Sequence, residues 1–245
     1  MKEKQDMKKR NIIRGFLVLV MVVMTGFFIN LEITKADEKN TENYHLIPWD
    51  DGQSGTYWMD GYLYWIDMKK KKISRYSDEE MTKEEVLVEA DKGTCIGECG
   101  LLYDDIIYYV LIDNKTHAGN LYSYNLKSRE SNKLGAAREL QRLEVLVDGK
   151  IYGCGYTKTG NPEVFLYDLK GKKLKQICKN GYFGQIVGKY IAIQTISSSG
   201  KSGMTLYRKS DGQKIKTITS NCSYYEFIDN TFYYVEPIAE FKYKI

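Results

Sequence analysis

The chain has 245 residues, of which 43% are hydrophobic and 28% charged, with 21 tyrosines and three prolines. That length suits one good core rather than two, and the composition excludes both a disordered tail and a multispanning membrane protein. The net charge of +4 argues against nucleic-acid binding, because residues 1–36 carry seven Lys/Arg against three acids and the remainder balances at 29 basic and 29 acidic residues, with no clustered positive excess for phosphates.

The first predicted element is a targeting segment. Met7–Gly15 is cationic, and an uncharged run of 17 residues follows from Gly15 to Leu31. A secretory apolar region takes about 7–15 residues and a spanning helix about 17–25. The run therefore predicts an N-terminal hydrophobic helix with two fates. It is cleaved, with Thr34 and Ala36 as the small residues of the cleavage site, or it stays as an anchor through residues 15–31. Positive charge precedes it, so residues beyond 36 are expected to be extracytoplasmic, secreted or membrane-anchored. The expected organisation is a signal peptide or anchor over 1–36, a linker with a candidate closing strand over 37–50, and one domain over 51–245.

That domain repeats. "DGYLYWID" from Asp60 has relatives at Asp104, Asp148, Gly188 and Asp229, at intervals of 44, 44, 40 and 41 residues. A period of about 40–45 is that of a four-stranded propeller blade. In each unit a short strand leads into a two-residue turn. Asp60-Gly61 and Asp148-Gly149 carry the sequence that a type I′ hairpin turn requires. An aromatic second strand follows, then a polar loop, then a third strand closing on Tyr76, Tyr124, Tyr167 or Tyr207, and a charged turn into an outer strand. The last unit stops early, and "YHLIPW" (Tyr44–Trp49) is the candidate to complete it from the N-terminal side, since a bare edge strand is a pairing hazard. The expectation is an all-β fold: a β-propeller of about five four-stranded blades, incomplete or closed by a shared blade, preceded by the hydrophobic helix.

Two stretches compete with that reading. "LGAARELQRLEVL" sets Leu134, Ala137, Leu140 and Leu143 at helical spacing, and "SDEEMTKEEV" opens like a capping box. At most one short surface helix is expected from them.

"YWID" (Tyr64–Asp67) resembles the YWTD motif of low-density-lipoprotein-receptor-type propellers. The wider pattern is similar to Tyr-rich bacterial repeat domains of unknown function. Only Trp65 supplies the motif's tryptophan; Tyr109, Gly153, Ile193 and Tyr234 stand at the equivalent positions. The resemblance implies an extracytoplasmic binding or scaffold role and brings no catalytic residues with it.

Candidate chemistry follows from the blade scheme. First strands face a central channel, where equivalent positions are Thr56, Gly100, Glu144, Gln185 and Glu226. Glu144 and Glu226 are the candidate acid and base of a glycan-active hydrolase, which needs two carboxylates at a set separation; the alternative is hydrogen bonding to backbone or channel water. Asp60, Asp104, Asp148 and Asp229 would ring one face and offer oxygens to Ca²⁺, although turn chemistry accounts for the same residues without an ion. On the opposite end, the loops carry Tyr156, His117, Asn161 and Lys201 as candidate ligand contacts, with Gln185 in the channel. Lys69–Lys72 is read either as a contact for an anionic polymer or as a solvated hairpin tip. The five cysteines are expected as small buried residues, because Cys95 and Cys99 in one extended strand lie beyond disulfide reach. No cofactor is expected. The partner is a protein, peptide or glycan of the cell envelope, with the membrane as a second partner if the leader is retained. The functional expectation is a binding or scaffold module, with a hydrolase or a membrane-tethered sensor domain as the alternatives.

Overall fold

The structure, a computed structural model, describes residues 44–47, 58–67, 69, 71–78, 80–222, 224–228 and 231–235. The leader, Thr56 and Asp229 lie outside the described residues. Two compact units are defined, one of Lys35–Ser220 and one of Met1–Thr34 with Asn221–Ile245.

Within Lys35–Ser220 the described chain forms four antiparallel sheets whose strands follow sequence order. β2 (Trp58–Met59), β3 (Tyr62–Asp67), β4 (Lys72–Tyr76) and β5 (Glu84–Glu89) make the first. The second contains β1 (Tyr44–Ile47), β7 (Gly100–Tyr103), β8 (Ile106–Asp113), β9 (Gly119–Asn125) and β10 (Glu130–Ala136), with β6 (Thr94–Ile96) also paired to β8. β11 (Leu140–Val147), β12 (Lys150–Tyr156), β13 (Pro162–Asp168) and β14 (Lys173–Lys179) make the third. β15 (Gly181–Val187), β16 (Tyr190–Ile196), β17 (Ser202–Arg208) and β18 (Lys214–Thr219) make the fourth. In the other unit, β19 (Tyr224–Ile228) and β20 (Thr231–Val235) form a hairpin, with Phe232 stacked on Tyr234 at 5.2 Å between ring centroids.

Local chemistry sets the hairpins. Asp60 and Gly61 have φ of 49° and 78°, and Asp148 and Gly149 have 50° and 65°. Both central residues are left-handed in each pair, as a type I′ turn demands. Asp104, at φ 51°, shows that aspartate tolerates the first position without a following glycine.

The apolar run "IIYYVL" of β8 has no polar face because the second sheet buries both of its faces. Tyr109 and Ile107 join Tyr64, Ile66 and Ile73 of the first sheet. Their neighbours Tyr108 and Val110 join Leu140, Leu143 and Phe165 of the third. Val145, Tyr152 and Val164 then join Ile191, Ile193 and Tyr207 of the fourth. Burying one such side chain contributes about 1.5–3 kcal/mol, and successive sheets supply one another's cores.

Neither candidate stretch forms a helix. Leu140, Leu143 and Leu146 are buried on one face of a strand, because register shifts after Leu140 and Leu143 re-phase the alternation. Between Ser77 and Glu84 the chain makes a turn instead: Thr82 N and Oγ1 both donate to the Asp78 carboxylate at 2.8 Å. The bulged β11 also explains Gly153 in the motif's tryptophan position. A Cβ there would lie 2.8 Å from the Arg142 carbonyl oxygen and 2.7 Å from a Leu140 methyl.

The closing strand is corrected. Tyr44–Ile47 does not complete the last unit; it pairs antiparallel with β7, with Ile47 opposite Gly100. A Cβ at Gly100 would stand in ordinary contact with Ile47 Cβ at 3.7 Å and tightly, 3.2 Å, against the Tyr108 carbonyl oxygen. Apolar content alone could not assign this strand to a sheet.

Candidate functional site

The first strands β2, β7, β11 and β15 each lie at the same end of their sheet's strand order, with β1 added beyond β7. Of the five channel positions, Thr56 lies outside the described residues, as does the side chain of Glu226. Gly100 backs β1, and Gln185 on β15 is exposed.

Glu144 is committed to its own strand. Its side chain is 8% exposed; Oε1 lies 2.6 Å from Arg142 Nε, and Oε2 accepts from the Arg142 guanidinium at 3.0 Å. Arg142 also reaches Glu98 at 3.5 Å. Both oxygens of Glu144 are therefore engaged by one guanidinium. Around this pair, burial and then the charge of Glu144 push the Tyr44 phenol up to about 12. Burial, again followed by Glu144, raises the Cys154 thiol well above its ordinary value. The cluster is a closed polar knot between β1, β11 and β12.

The turn acids stand apart. Asp60, Asp104 and Asp148 are exposed at left-handed turn positions. Among the described residues no three His, Cys, Asp or Glu side chains come together to hold a metal ion.

The polar loops are built by one recurring hydrogen-bond scheme. In Thr157–Asn161, the Asn161 amide donates to Thr157 Oγ1 at 3.0 Å and Gly160 has φ 80°. In Ser197–Lys201, the Lys201 amide donates to Ser197 Oγ at 3.0 Å and Gly200 has φ 77°. The scheme leaves the Asn161 and Lys201 side chains at the loop exits, both residues exposed. His117 is exposed at φ 55° and caps a turn ordered by Asp113, which accepts from the Thr116 amide at 2.7 Å. Tyr156, half-buried at the end of β12, has a phenol raised first by burial and then by Glu98. Of the lysine run, Lys72 is spoken for, donating to Glu84 at 2.7 Å.

One of the loop candidates lines a cleft. A space of about 320 Å³ opens between the outer end of β14 and the outer half of the fourth sheet. Lys201 borders it together with Lys179 and Lys214. Thr205, 2% exposed, and Tyr207, 6% exposed, form its inner wall. No carboxylate is among the lining residues. Burial raises the Cys178 thiol in the same wall, while the Tyr207 hydroxyl and the Lys214 charge pull it back. Sequence reasoning reached Lys201 through its loop. It missed Lys179 and Lys214 because only the packing of one sheet on the next brings them together.

Four-stranded antiparallel sheets in sequence order, each packed face to face on the next, define a β-propeller-type domain. No family model and no curated protein matches the chain. Among solved structures it is similar to an oligogalacturonate lyase in complex with manganese, with a TM-score of 0.51 and 11% identity over 71% of this chain and 55% of that one. It is also similar to a chain of a nidogen/laminin complex (TM-score 0.43, 11% identity, 65% of this chain and 59% of that one). A third similarity is to TolB from Acinetobacter baumannii (TM-score 0.42, 13% identity, 72% and 46%). The matched region thus spans about half the length of each of these proteins. Identities this low concern the fold alone.

Proposed function

We propose that this chain is an exported, cell-surface-associated β-propeller module that binds a protein, peptide or cell-wall glycan. The observation that carries the reading is the cleft between the third and fourth sheets, where three lysines converge with no carboxylate among the lining residues. Rigid sheets that present polar loops and a cleft are suited to recognition. Export is supported by the cationic segment and apolar run that precede the domain. A propeller-type fold hosts unrelated functions, so the choice is left to the site. Glu144, held at both oxygens by Arg142, weighs against the hydrolase reading.

The test joins location to binding. Cells expressing the tagged chain are treated with external protease, and the purified chain is then used to retain cell-envelope fragments and to probe a glycan array. External digestion together with saturable retention is expected. Protection from protease together with no retained material would sink the proposal.

A further inference from the structure

The cleft has a charge pattern that points to a ligand class. Lys179, Lys201 and Lys214 all border it, and none makes an ion pair with a carboxylate among the described residues. Lysines without an ion-paired carboxylate are common among the described residues, Lys72, Lys127 and Lys173 being the paired ones; what sets these three apart is that they border one space. Three like charges around one opening repel each other, and an anion relieves that repulsion. Ser197, Thr205 and Thr217 border the same space, and Thr205 Oγ1 lies 3.3 Å from Thr217 Oγ1 although Thr205 is buried. A buried hydroxyl in a cleft wall is positioned by the fold rather than by solvent.

The donor set discriminates between anions. Planar carboxylates are matched best by the guanidinium fork, and no arginine lines the cleft. Lysine ammonium groups act as point charges and suit a tetrahedral oxyanion that carries up to two charges near neutral pH. The volume of about 320 Å³ lies at the small end of ligand sites, which run from roughly 300 to 1,000 Å³. It accommodates a phosphate with a small polyol or sugar attached.

We propose that this cleft binds a phosphate group, with Lys179, Lys201 and Lys214 supplying the charge and Ser197, Thr205 and Thr217 the neutral hydrogen bonds. The assignment rests on the reading of the chain as a binding module and names the ligand chemistry of its cleft.

The test titrates the purified full chain with inorganic phosphate, followed by calorimetry and thermal melting. Acetate, soluble glycerol phosphate and phosphatidylglycerol vesicles are run as parallel arms. Saturable phosphate binding at millimolar or lower concentration, weakened by salt, is expected. Lys201→Gln, in an exposed loop, is expected to weaken it several-fold. Lys201→Gln combined with Lys214→Gln is expected to weaken it about tenfold or more, the size of one or two lost charged hydrogen bonds. Binding of glycerol phosphate without vesicles assigns a soluble ester, and binding of vesicles assigns a lipid headgroup; either supports the phosphate site. No saturable response, an equal response to acetate, or equal phosphate affinity in correctly melting lysine variants overturns it. Envelope fragments retained equally by wild type and the double variant would end this assignment and leave the binding-module reading standing. Fragments retained by neither, together with protection from external protease, would end that reading.

Discussion

The Tyr152 hydroxyl donates to the Lys209 backbone carbonyl at 2.8 Å, so a side chain of the third sheet satisfies a main-chain group of the fourth. Tyr152 is fully buried, and its ring lies 6.4 Å from that of Phe183. Two further ties run the same way, from Lys150 Nζ to the Ser210 carbonyl at 2.5 Å and from Lys175 Nζ to the Gly212 carbonyl at 2.9 Å. Sheet-to-sheet adhesion is therefore polar at its rim and apolar within.

Tyr152→Phe isolates the polar part, because the ring stays and only the hydroxyl goes. Loss of one hydrogen bond from a buried site costs about 1–2 kcal/mol, which lowers Tm by about 2–8 °C in a protein of this size. A thermal melt of the variant beside wild type measures it. An unchanged Tm would mean that the hydroxyl does not hold these sheets together.

Much of this frame was legible in the sequence. The anchors Asp60, Asp104 and Asp148 mark hairpins because positive φ restricts residue choice locally. The strand "YLYWID" coincides with Tyr62–Asp67. What was not legible depends on pairing at a distance. The helical spacing of Leu140 and Leu143 was undone by bulges, whose extra residues leave no periodic trace. The lysine cleft required knowing which face of β18 meets the end of β14, and two adjacent sheets decide that together.

Arg142 and Glu144 give a second prediction. Arg142→Met leaves the Glu144 carboxylate, 8% exposed, without its guanidinium. Breaking a fully buried pair costs about 3–5 kcal/mol; Arg142 is one-third exposed, so about 1–3 kcal/mol is expected. Adding Glu144→Leu to Arg142→Met is expected to recover most of the loss, since an apolar pair of similar volume avoids the stranded charge. Denaturant midpoints of the wild type, both single variants and the double variant close the cycle. A double variant less stable than either single one would contradict a mainly structural role for the pair.

A pH dependence follows from Glu84. The Lys72 ammonium and the Tyr76 hydroxyl, which donate to Glu84 at 2.7 and 2.9 Å, hold its carboxyl down to about 2, against an ordinary value of 4.5. The folded value is the lower one, so the contribution is complete above about pH 4.5 and fades as pH falls through about 2. Glu84→Gln removes this titration. The Tm difference between wild type and Glu84→Gln should be constant above pH 5 and narrow steadily toward pH 2. A difference that stays level across that range would show that Glu84 is not held by its neighbours.

Thiol chemistry separates the cysteines by burial. Cys95 is half-buried, whereas Cys154 and Cys178 are buried and both have thiols raised by burial. Only the thiolate reacts. Under native conditions at neutral pH, an alkylating reagent should modify Cys95 well before Cys154 or Cys178, and denaturant should level the rates. Peptide mapping after timed quenching reads the order. Early labelling of Cys154 would mean that the knot around Glu144 opens.

Strand β1 offers the sharpest test of the fold, because its position was not foreseen. Ile47 is fully buried, sits opposite Gly100 and belongs to the core between the first two sheets. As a mere linker residue, Ile47 could be shortened without effect. In the observed position, Ile47→Ala removes packed atoms and leaves a cavity, at a cost of about 2–4 kcal/mol, or a fall in Tm of about 4–16 °C. Ile47→Val should cost about 0.5–1.5 kcal/mol, and His45→Ala, on the exposed face of the same strand, almost nothing. The graded series matters more than any one value: cavity size orders the first two, and exposure exempts the third. Equal melting of all three variants and wild type would place Tyr44–Ile47 outside the second sheet, and with it the Tyr44 phenol beside Glu144.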